Sequence, residues 1–148
     1  LVTTFVLIGS APAADAARPA SLAKTSKRFF RALIAGDVKA CLALTPSHAE
    51  LQATIKKPIA KKAYDGQVRE FLERRVKEFA EGKKRHGDVQ LERVEIADVF
   101  IVARGDKTRR TVAFGVVKPH LRMGKKTRGG FSFFFVQIGD RWRWSLKK

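Results

Sequence analysis

The chain has 148 residues, of which 45% are hydrophobic, and a formal net charge of +17. This length suits one domain with a real core, and the apolar content excludes a mostly disordered chain. The charge predicts attraction to polyanions, although a basic surface kept for solubility also accounts for it. A single cysteine, Cys41, excludes an internal disulfide, and three scattered histidines do not have the spacing of metal ligands. No cofactor or metal is therefore expected.

The N-terminal segment has the pattern of an export signal. Leu1–Gly9 is apolar but too short to span a membrane, and two A-x-A sites follow at Ala11–Ala13 and Ala14–Ala16. There is no initiator methionine and no basic region before the apolar run. We predict that residues 1–17 are a truncated signal peptide and that 18–148 form a single α+β domain, exported to the periplasm or outside the cell. An ordinary N-terminal strand is the alternative.

Helical periodicity dominates the first half of the chain. Gly36 is placed to end the first helix and Asp37 to cap the second, while Ser47 and Glu50 have the spacing of a capping box. Loops are predicted at the interruptions, including Lys61-Lys62. The predicted helices are Leu22–Ala35, Val38–Leu44, His48–Ile55 and Asp65–Lys83.

The last of these helices is the longest and carries one apolar stripe, which consists of Val68, Phe71, Leu72, Val76 and Phe79. Either Gly82 or Gly87 is expected to end it. The basic run Lys83–His86 lies at its C-terminal end, where cations interact favourably with the helix dipole. That is a sufficient structural reason for the run.

From Asp88 the hydrophobic period changes to two, which indicates strands. Val89–Ile96 is the first, and Val99–Val102 is either its continuation past a bulge near Ala97-Asp98 or a separate strand. Gly105–Lys107 reads as a turn. Two further expectations are a strand over Thr111–Val117 closed by Pro119, and a loop over Leu121–Gly130.

The C-terminal stretch predicts a β-hairpin that supplies much of the core. Phe131–Ile138 is apolar on both faces, which is typical of a central strand. Gly139-Asp140 suits a two-residue turn. In the following segment, Arg141–Leu146, charged or polar side chains alternate with bulky apolar ones. Trp142 and Trp144 are expected on the buried face, opposite the arginines.

Two stretches resemble nuclear-transport-factor-2-like (NTF2-like) domains, the superfamily with the cystatin-like fold that includes SnoaL-like proteins. Phe29–Leu44 combines a helix, a Gly-Asp break and a short helix of small and apolar residues, and Val136–Trp144 is similar to the closing hairpin. The resemblance implies N-terminal helices on the concave face of a curved, mainly antiparallel sheet of four to five strands. The interior of such a cone can hold a small ligand. Because the superfamily contains isomerases, dehydratases and non-catalytic secreted domains, the fold leaves function open.

The leading interpretation is a non-catalytic exported binding or accessory domain. In the first version of this interpretation, the cone holds a small apolar ligand between the first helix and the sheet. The candidate lining residues are Phe29, Phe30, Tyr64, Phe114, Phe133 and Trp144.

In the second version of this interpretation, the domain associates with an anionic cell-envelope polymer or lipid through a basic face. Nucleic acid is a less consistent partner, because strand alternation separates the Trp and Arg side chains and because export is predicted. The candidate residues are Arg109, Arg110, Lys118, Arg122, Lys125, Lys126, Arg128, Arg141 and Arg143.

The alternative is a small isomerase or dehydratase with an acid/base residue in the cone. Asp98 is the candidate base, since a carboxylate in a buried strand has a raised pKa; an Asp98 that marks a bulge and faces water is the favoured reading. Tyr64, His48 and His120 are other acid/base candidates, but none lies in an enzyme motif. A homodimer through the outer sheet face is also considered, although basic exposed faces oppose it.

Overall fold

The structure is a computed structural model that describes residues 19–101, 112–129 and 131–146. The predicted signal peptide, the Gly105–Lys107 turn, Arg109 and Arg110 lie outside these residues. The helices are α1 (Pro19–Ala35), α2 (Val38–Ala43), α3 (His48–Gln52) and α4 (Lys61–His86). The strands are β1 (Val89–Ile101), β2 (Ala113–Met123), β3 (Lys126–Arg128), β4 (Phe133–Ile138) and β5 (Arg141–Ser145).

The predicted α+β class is confirmed. All strand pairs are antiparallel, and the five-stranded sheet has the order β1-β2-β4-β5, with β3 paired to β2 outside this path. The helices cover the concave face of the sheet. At its β5 edge, the Trp144 amide donates to the Leu44 carbonyl oxygen over 2.7 Å, which joins this edge to the end of α2.

The predicted helix boundaries near α2 and α3 are confirmed by their caps. Gly36 has φ +80°, which a residue without a Cβ adopts readily. The Asp37 carboxylate accepts from the Ala40 amide over 3.0 Å. Ser47 and Glu50 form the reciprocal capping box, and α3 ends at Gln52, earlier than predicted.

Helix α4 is longer than predicted at both ends. Lys61 and Lys62, expected in a loop, form its first turn, where the Lys61 ammonium pairs with Asp65 over 2.7 Å. Gly82 lies inside the helix, because a single glycine costs only about 1 kcal/mol there. The helix ends instead at Gly87, which has φ +86°.

Strand β1 is continuous, which confirms the bulge and excludes two separate strands. Its register against β2 shifts between Ile96 and Asp98. The prediction that Pro119 closes β2 is wrong, since the strand continues to Met123. Pairing of β2 with β4 ends at Val117 and pairing with β3 begins at Leu121, so Pro119 lies where that side of β2 is unpaired. A missing N–H is tolerated at such an edge.

The loop predicted over Leu121–Gly130 is also wrong. Leu121–Met123 completes β2, and β3 folds back on it as a short hairpin. Gly124 turns the chain with φ +63°. The basic residues of this stretch therefore lie on a short paired strand and its turn.

The C-terminal hairpin is confirmed. β4 lies between β2 and β5, and Gly139 makes the turn with φ +63°. Trp142 and Trp144 are buried on the concave face, while Arg141 is exposed. The hairpin is the central part of the core, as its composition predicted.

Candidate functional site

Under α1, the predicted ligand-lining side chains pack against one another. The Phe29 ring stacks on Trp144 with centroids 5.2 Å apart, and it meets Phe135 edge-on at 5.8 Å. Phe30 meets Phe133 edge-on at 4.9 Å. All five side chains are buried. Four of the six proposed pocket residues thus pack into the core here, and two of them, Phe133 and Trp144, also line a hollow described below.

Phe114 lies on the other side of the sheet, because alternation places its neighbour Gly115 toward the helices. A methyl group built on Gly115 would lie 2.3 Å from Leu22 of α1. The Phe114 ring instead stacks on Phe100, with centroids 5.8 Å apart. The structure therefore separates Phe114 from the concave face that it was expected to line.

Tyr64 lines a separate hollow of about 320 Å³ near the N-terminal end of α4. Its hydroxyl donates to the Pro46 carbonyl oxygen over 2.8 Å. Burial raises the pKa of Tyr64, and the nearby Asp65 and Glu50 carboxylates raise it further. The hydroxyl is thus a neutral structural donor. Arg143 also borders this hollow.

A second open region lies between the C-terminal half of α4 and the sheet. It consists of two adjoining hollows of about 310 and 210 Å³, and both are lined by Arg75, Phe131 and Phe133. We call this region the Arg75 cleft. Its other lining residues are Phe71, Glu78, Phe79, Leu121, Met123, Arg128, Ser132, Phe134, Trp144, Ser145 and Leu146.

Arg75 is the polar centre of an otherwise largely apolar cleft. Its Nη1 donates to Glu78 Oε1 over 2.9 Å, and its Cζ lies 5.1 Å from the centre of the Phe71 ring. Its Nε is buried and has no hydrogen-bond partner within the described part of the chain. A buried donor without a partner costs about 1–3 kcal/mol, so an acceptor that reached this atom would relieve that cost.

Arg75 is not among the site residues predicted from the sequence, although the sequence carries a signal for it. Arg75 lies three residues after Leu72 and four before Phe79, at a position that the apolar stripe of α4 predicts to face the core. A single arginine within such a stripe is a candidate for a buried polar contact. Which atoms it meets depends on Phe131 and Phe133, which are distant in sequence.

The structure also brings two basic segments together. The Gly124 amide donates to the Asp88 carbonyl oxygen over 3.3 Å, and a methyl group on Gly124 would lie 2.8 Å from the His86 carbonyl oxygen. The β2–β3 turn thus touches the C-terminus of α4. We call the cations of these two segments the basic end; they are Lys83, Lys84, Arg85, Lys125 and Lys126.

The other described members of the predicted basic face have different local surroundings. Arg122 pairs with Glu92, and Lys118 lies opposite Glu95 in the sheet register. Arg128 lines the Arg75 cleft and Arg143 the Tyr64 hollow. Arg141 lies 3.9 Å from Asp140 beside the β4–β5 turn.

The acid/base candidates do not converge on one site. Asp98 is exposed at the register shift of β1, so the burial on which its role as a base depended is absent. His48 Nε2 lies 2.6 Å from the Ile59 carbonyl oxygen. His120 Nε2 lies 2.9 Å from Glu95 Oε1, and this hydrogen bond lowers the pKa of Glu95.

Two further chemistries find no support in the described residues. Burial, aided by the negative charge of Asp37, raises the pKa of Cys41 to about 11, which leaves the thiol neutral and poorly nucleophilic at neutral pH. Across residues 19–101, 112–129 and 131–146, no three His, Cys, Asp or Glu side chains are grouped in a way that would hold a metal ion.

A search of solved structures identified a similar fold. A Campylobacter jejuni protein, described as an NTF2-like transpeptidase, matches with a TM-score of 0.50 and 18% sequence identity. The match covers 84% of this chain and 96% of that protein. This similarity shows an NTF2-like fold, as the terminal motifs predicted, and at this identity it shows the fold alone.

No known family profile matches the chain, and none of the curated proteins matches it. Among the described helices, none combines the length and apolarity that would let it cross a bilayer.

Proposed function

We propose that this NTF2-like domain is a non-catalytic binding domain that takes a small amphipathic anion into the Arg75 cleft. The observation that carries the proposal is the buried, unpartnered Nε of Arg75 within a wall of aromatic and aliphatic side chains. A carboxylate, sulfonate or phosphate group would supply the missing acceptor. The apolar lining favours a ligand with a hydrocarbon body.

The guanidinium geometry supports recognition of a planar anion. The edge that carries Nε can donate two parallel hydrogen bonds to a carboxylate, together with an adjacent Nη. Glu78 accepts from Nη1 and the Phe71 ring lies under the Cζ atom, so the group is oriented before a ligand arrives. Preorganisation of this kind reduces the entropy lost on binding.

The dimensions of the cleft suit a small ligand. Its larger hollow, about 310 Å³, lies near the lower end of the range for ligand sites, which starts at roughly 300 Å³. Phe79, Leu121 and Met123 line it with apolar surface. Phe131 also borders it and is 36% exposed, so a bound hydrocarbon chain would remove this ring from water.

A binding role fits the cleft better than the isomerase or dehydratase alternative. Glu78 is the one carboxylate among the described residues that line the cleft, and it is ion-paired with Arg75 and 51% exposed. Neither Tyr64 nor the described histidines line it. A proton-transfer reaction needs a base at the ligand, and the cleft offers only this paired, solvated carboxylate.

The test compares decanoate with decanol by isothermal titration calorimetry. These ligands share a hydrocarbon chain and differ in the head group, so we expect native protein to bind decanoate at least about tenfold more tightly through charge-assisted hydrogen bonds. Arg75→Met should abolish this preference. Arg74→Met is the matched control: Arg74 is the exposed neighbour, the charge change is identical, and Arg74 borders neither hollow of the cleft.

Two outcomes would contradict the proposal. Equal affinity of the native protein for decanoate and decanol would remove the role of the anion. Equal loss of decanoate binding in the Arg74 and Arg75 variants would show that overall charge, and not the Arg75 guanidinium, sets the affinity.

A further inference from the structure

The basic end is a cationic surface that only the folded chain contains. Lys83–His86 form the last turn of α4, and Lys125 and Lys126 lie at the β2–β3 turn. The hydrogen bond from Gly124 to Asp88 holds the two segments against each other. The segments are separated in sequence by the whole of β1 and β2.

These cations have no acidic partners that would account for them. In the described part of the chain, none of the five basic-end side chains lies within 4.0 Å of a carboxylate oxygen. Of the nearby acids, Glu78 is paired with Arg75, and the Asp88 carboxylate accepts from Gln90 over 3.1 Å. Glu81 lies on α4 three residues before Lys84 and four before Arg85, and it forms no ion pair with either of these described residues. The helix dipole favours cations at this end of α4 and extends to the adjoining β2–β3 turn, but about half an elementary charge does not offset the five positive charges gathered there.

An apolar group lies close to this charged surface. Met123, which precedes the β2–β3 turn, packs against Gly82 of α4 and lines the Arg75 cleft together with Arg128 and Phe131. The Phe131 ring, 36% exposed, lines the same hollow as Met123 and Arg128. Clustered lysines beside an exposed aromatic ring have the composition of surfaces that bind anionic membranes, where the charges meet phosphate groups and the ring enters the interface.

We propose that the basic end docks the protein on an anionic phospholipid bilayer, with Phe131 entering the lipid interface. This surface goes beyond the small-ligand site, and it does not depend on Arg75 binding an anion. A soluble polyanion would use the same lysines but would gain nothing from an exposed aromatic ring. The exposed ring therefore favours an anionic bilayer as the partner. A substitution of Phe131 can distinguish a bilayer from a soluble polyanion.

The first experiment measures co-sedimentation of the protein with vesicles of equal parts phosphatidylglycerol and phosphatidylcholine. Vesicles of phosphatidylcholine alone should bind weakly, and binding to the mixed vesicles should fall steeply with salt. The variant K83S/K84S/K125S/K126S should lose on the order of 100-fold in partitioning, because each lysine near the bilayer contributes to the attraction.

The matched control is K24S/K39S/K57S/K62S, which removes four exposed lysines elsewhere and leaves the same net charge. We expect it to bind within about fivefold of the native protein, because charges beyond a Debye length of the surface are largely screened. Circular dichroism verifies that both variants fold. Equal losses in the two variants would overturn the proposal, because net charge alone would then explain binding.

The second experiment separates the lipid surface from a soluble polyanion. Phe131→Ser should weaken binding to the mixed vesicles about tenfold, through loss of apolar burial, and leave binding to inorganic polyphosphate unchanged. An unchanged vesicle affinity in this variant, together with polyphosphate binding as strong as vesicle binding, would overturn the lipid assignment. If Arg75→Met did not abolish the preference for decanoate, the small-ligand proposal would fall, and the vesicle results would still stand.

Discussion

Under α1, aromatic rings cover the concave face of the sheet, whereas beside the C-terminal half of α4 the same face borders an open cleft. Phe29 lies between Phe135 and Trp144 in the first region and is fully buried. In the second region, Arg75 lies within the apolar stripe of α4, its side chain is 40% exposed, and its Nε has no hydrogen-bond partner within the described residues. The comparison shows that one polar residue in a helix stripe can turn part of a core into a candidate site.

Removal of a ring from the filled region should have the largest effect on stability. Phe29→Ala should lower the free energy of unfolding by about 3–5 kcal/mol, because the cavity left among packed rings cannot collapse fully. Urea denaturation followed by circular dichroism measures the change. The control is Phe131→Ala at the cleft, which should cost less than about 1 kcal/mol. Similar losses in both variants would show that the two regions are packed alike.

Addition of a methyl group tests how tightly the filled region is packed. Gly115→Ala should cost about 1–3 kcal/mol, since the new Cβ would lie 2.3 Å from the Leu22 Cδ2 atom of α1. In a Leu22→Ala background the same methyl group should cost at least about 1 kcal/mol less, because the clash is removed. Strictly additive free energies in this double-mutant cycle would contradict the contact.

The smallest change is expected in the open region, and its sign is informative. Arg75→Met should leave the free energy of unfolding unchanged or raise it by about 1 kcal/mol, because it removes a buried donor without a partner. The exposed ion pair with Glu78, worth up to about 1 kcal/mol, is lost at the same time. Arg74→Met should stay within about 0.5 kcal/mol of the native protein. A loss above about 1 kcal/mol for Arg75→Met would show that the guanidinium serves stability and not binding.

Local signals in the sequence predicted much of the fold. The caps at Gly36 and Asp37, the capping box at Ser47 and the closing hairpin each depend on neighbouring residues, and each is confirmed. The terminal motifs predicted the NTF2-like fold, which the structural match confirms. The signal peptide, export and the homodimer remain predictions.

The errors arose where the outcome depends on distant partners. Pro119 was expected to end its strand, but β2 continues, because Val94 of β1 lies opposite Pro119 while the other side of β2 is unpaired there. The stretch after Leu121 contains glycines and lysines that indicate a loop, yet β3 pairs there with β2. Glycine and proline give strong local signals, and a strand ladder overrides them when its partners are in place.

The sequence by itself determined the class of the protein, the faces of its amphipathic helices and its large positive charge. These properties follow from residue type and from periods of 2 and 3.6, which act within a few positions. Only the tertiary structure decided which aromatic rings fill the core, that Arg75 borders a cleft, and that the C-terminus of α4 meets the turn that carries Lys125 and Lys126. Packing joins residues that are far apart in the chain, and no local pattern specifies which of them will touch.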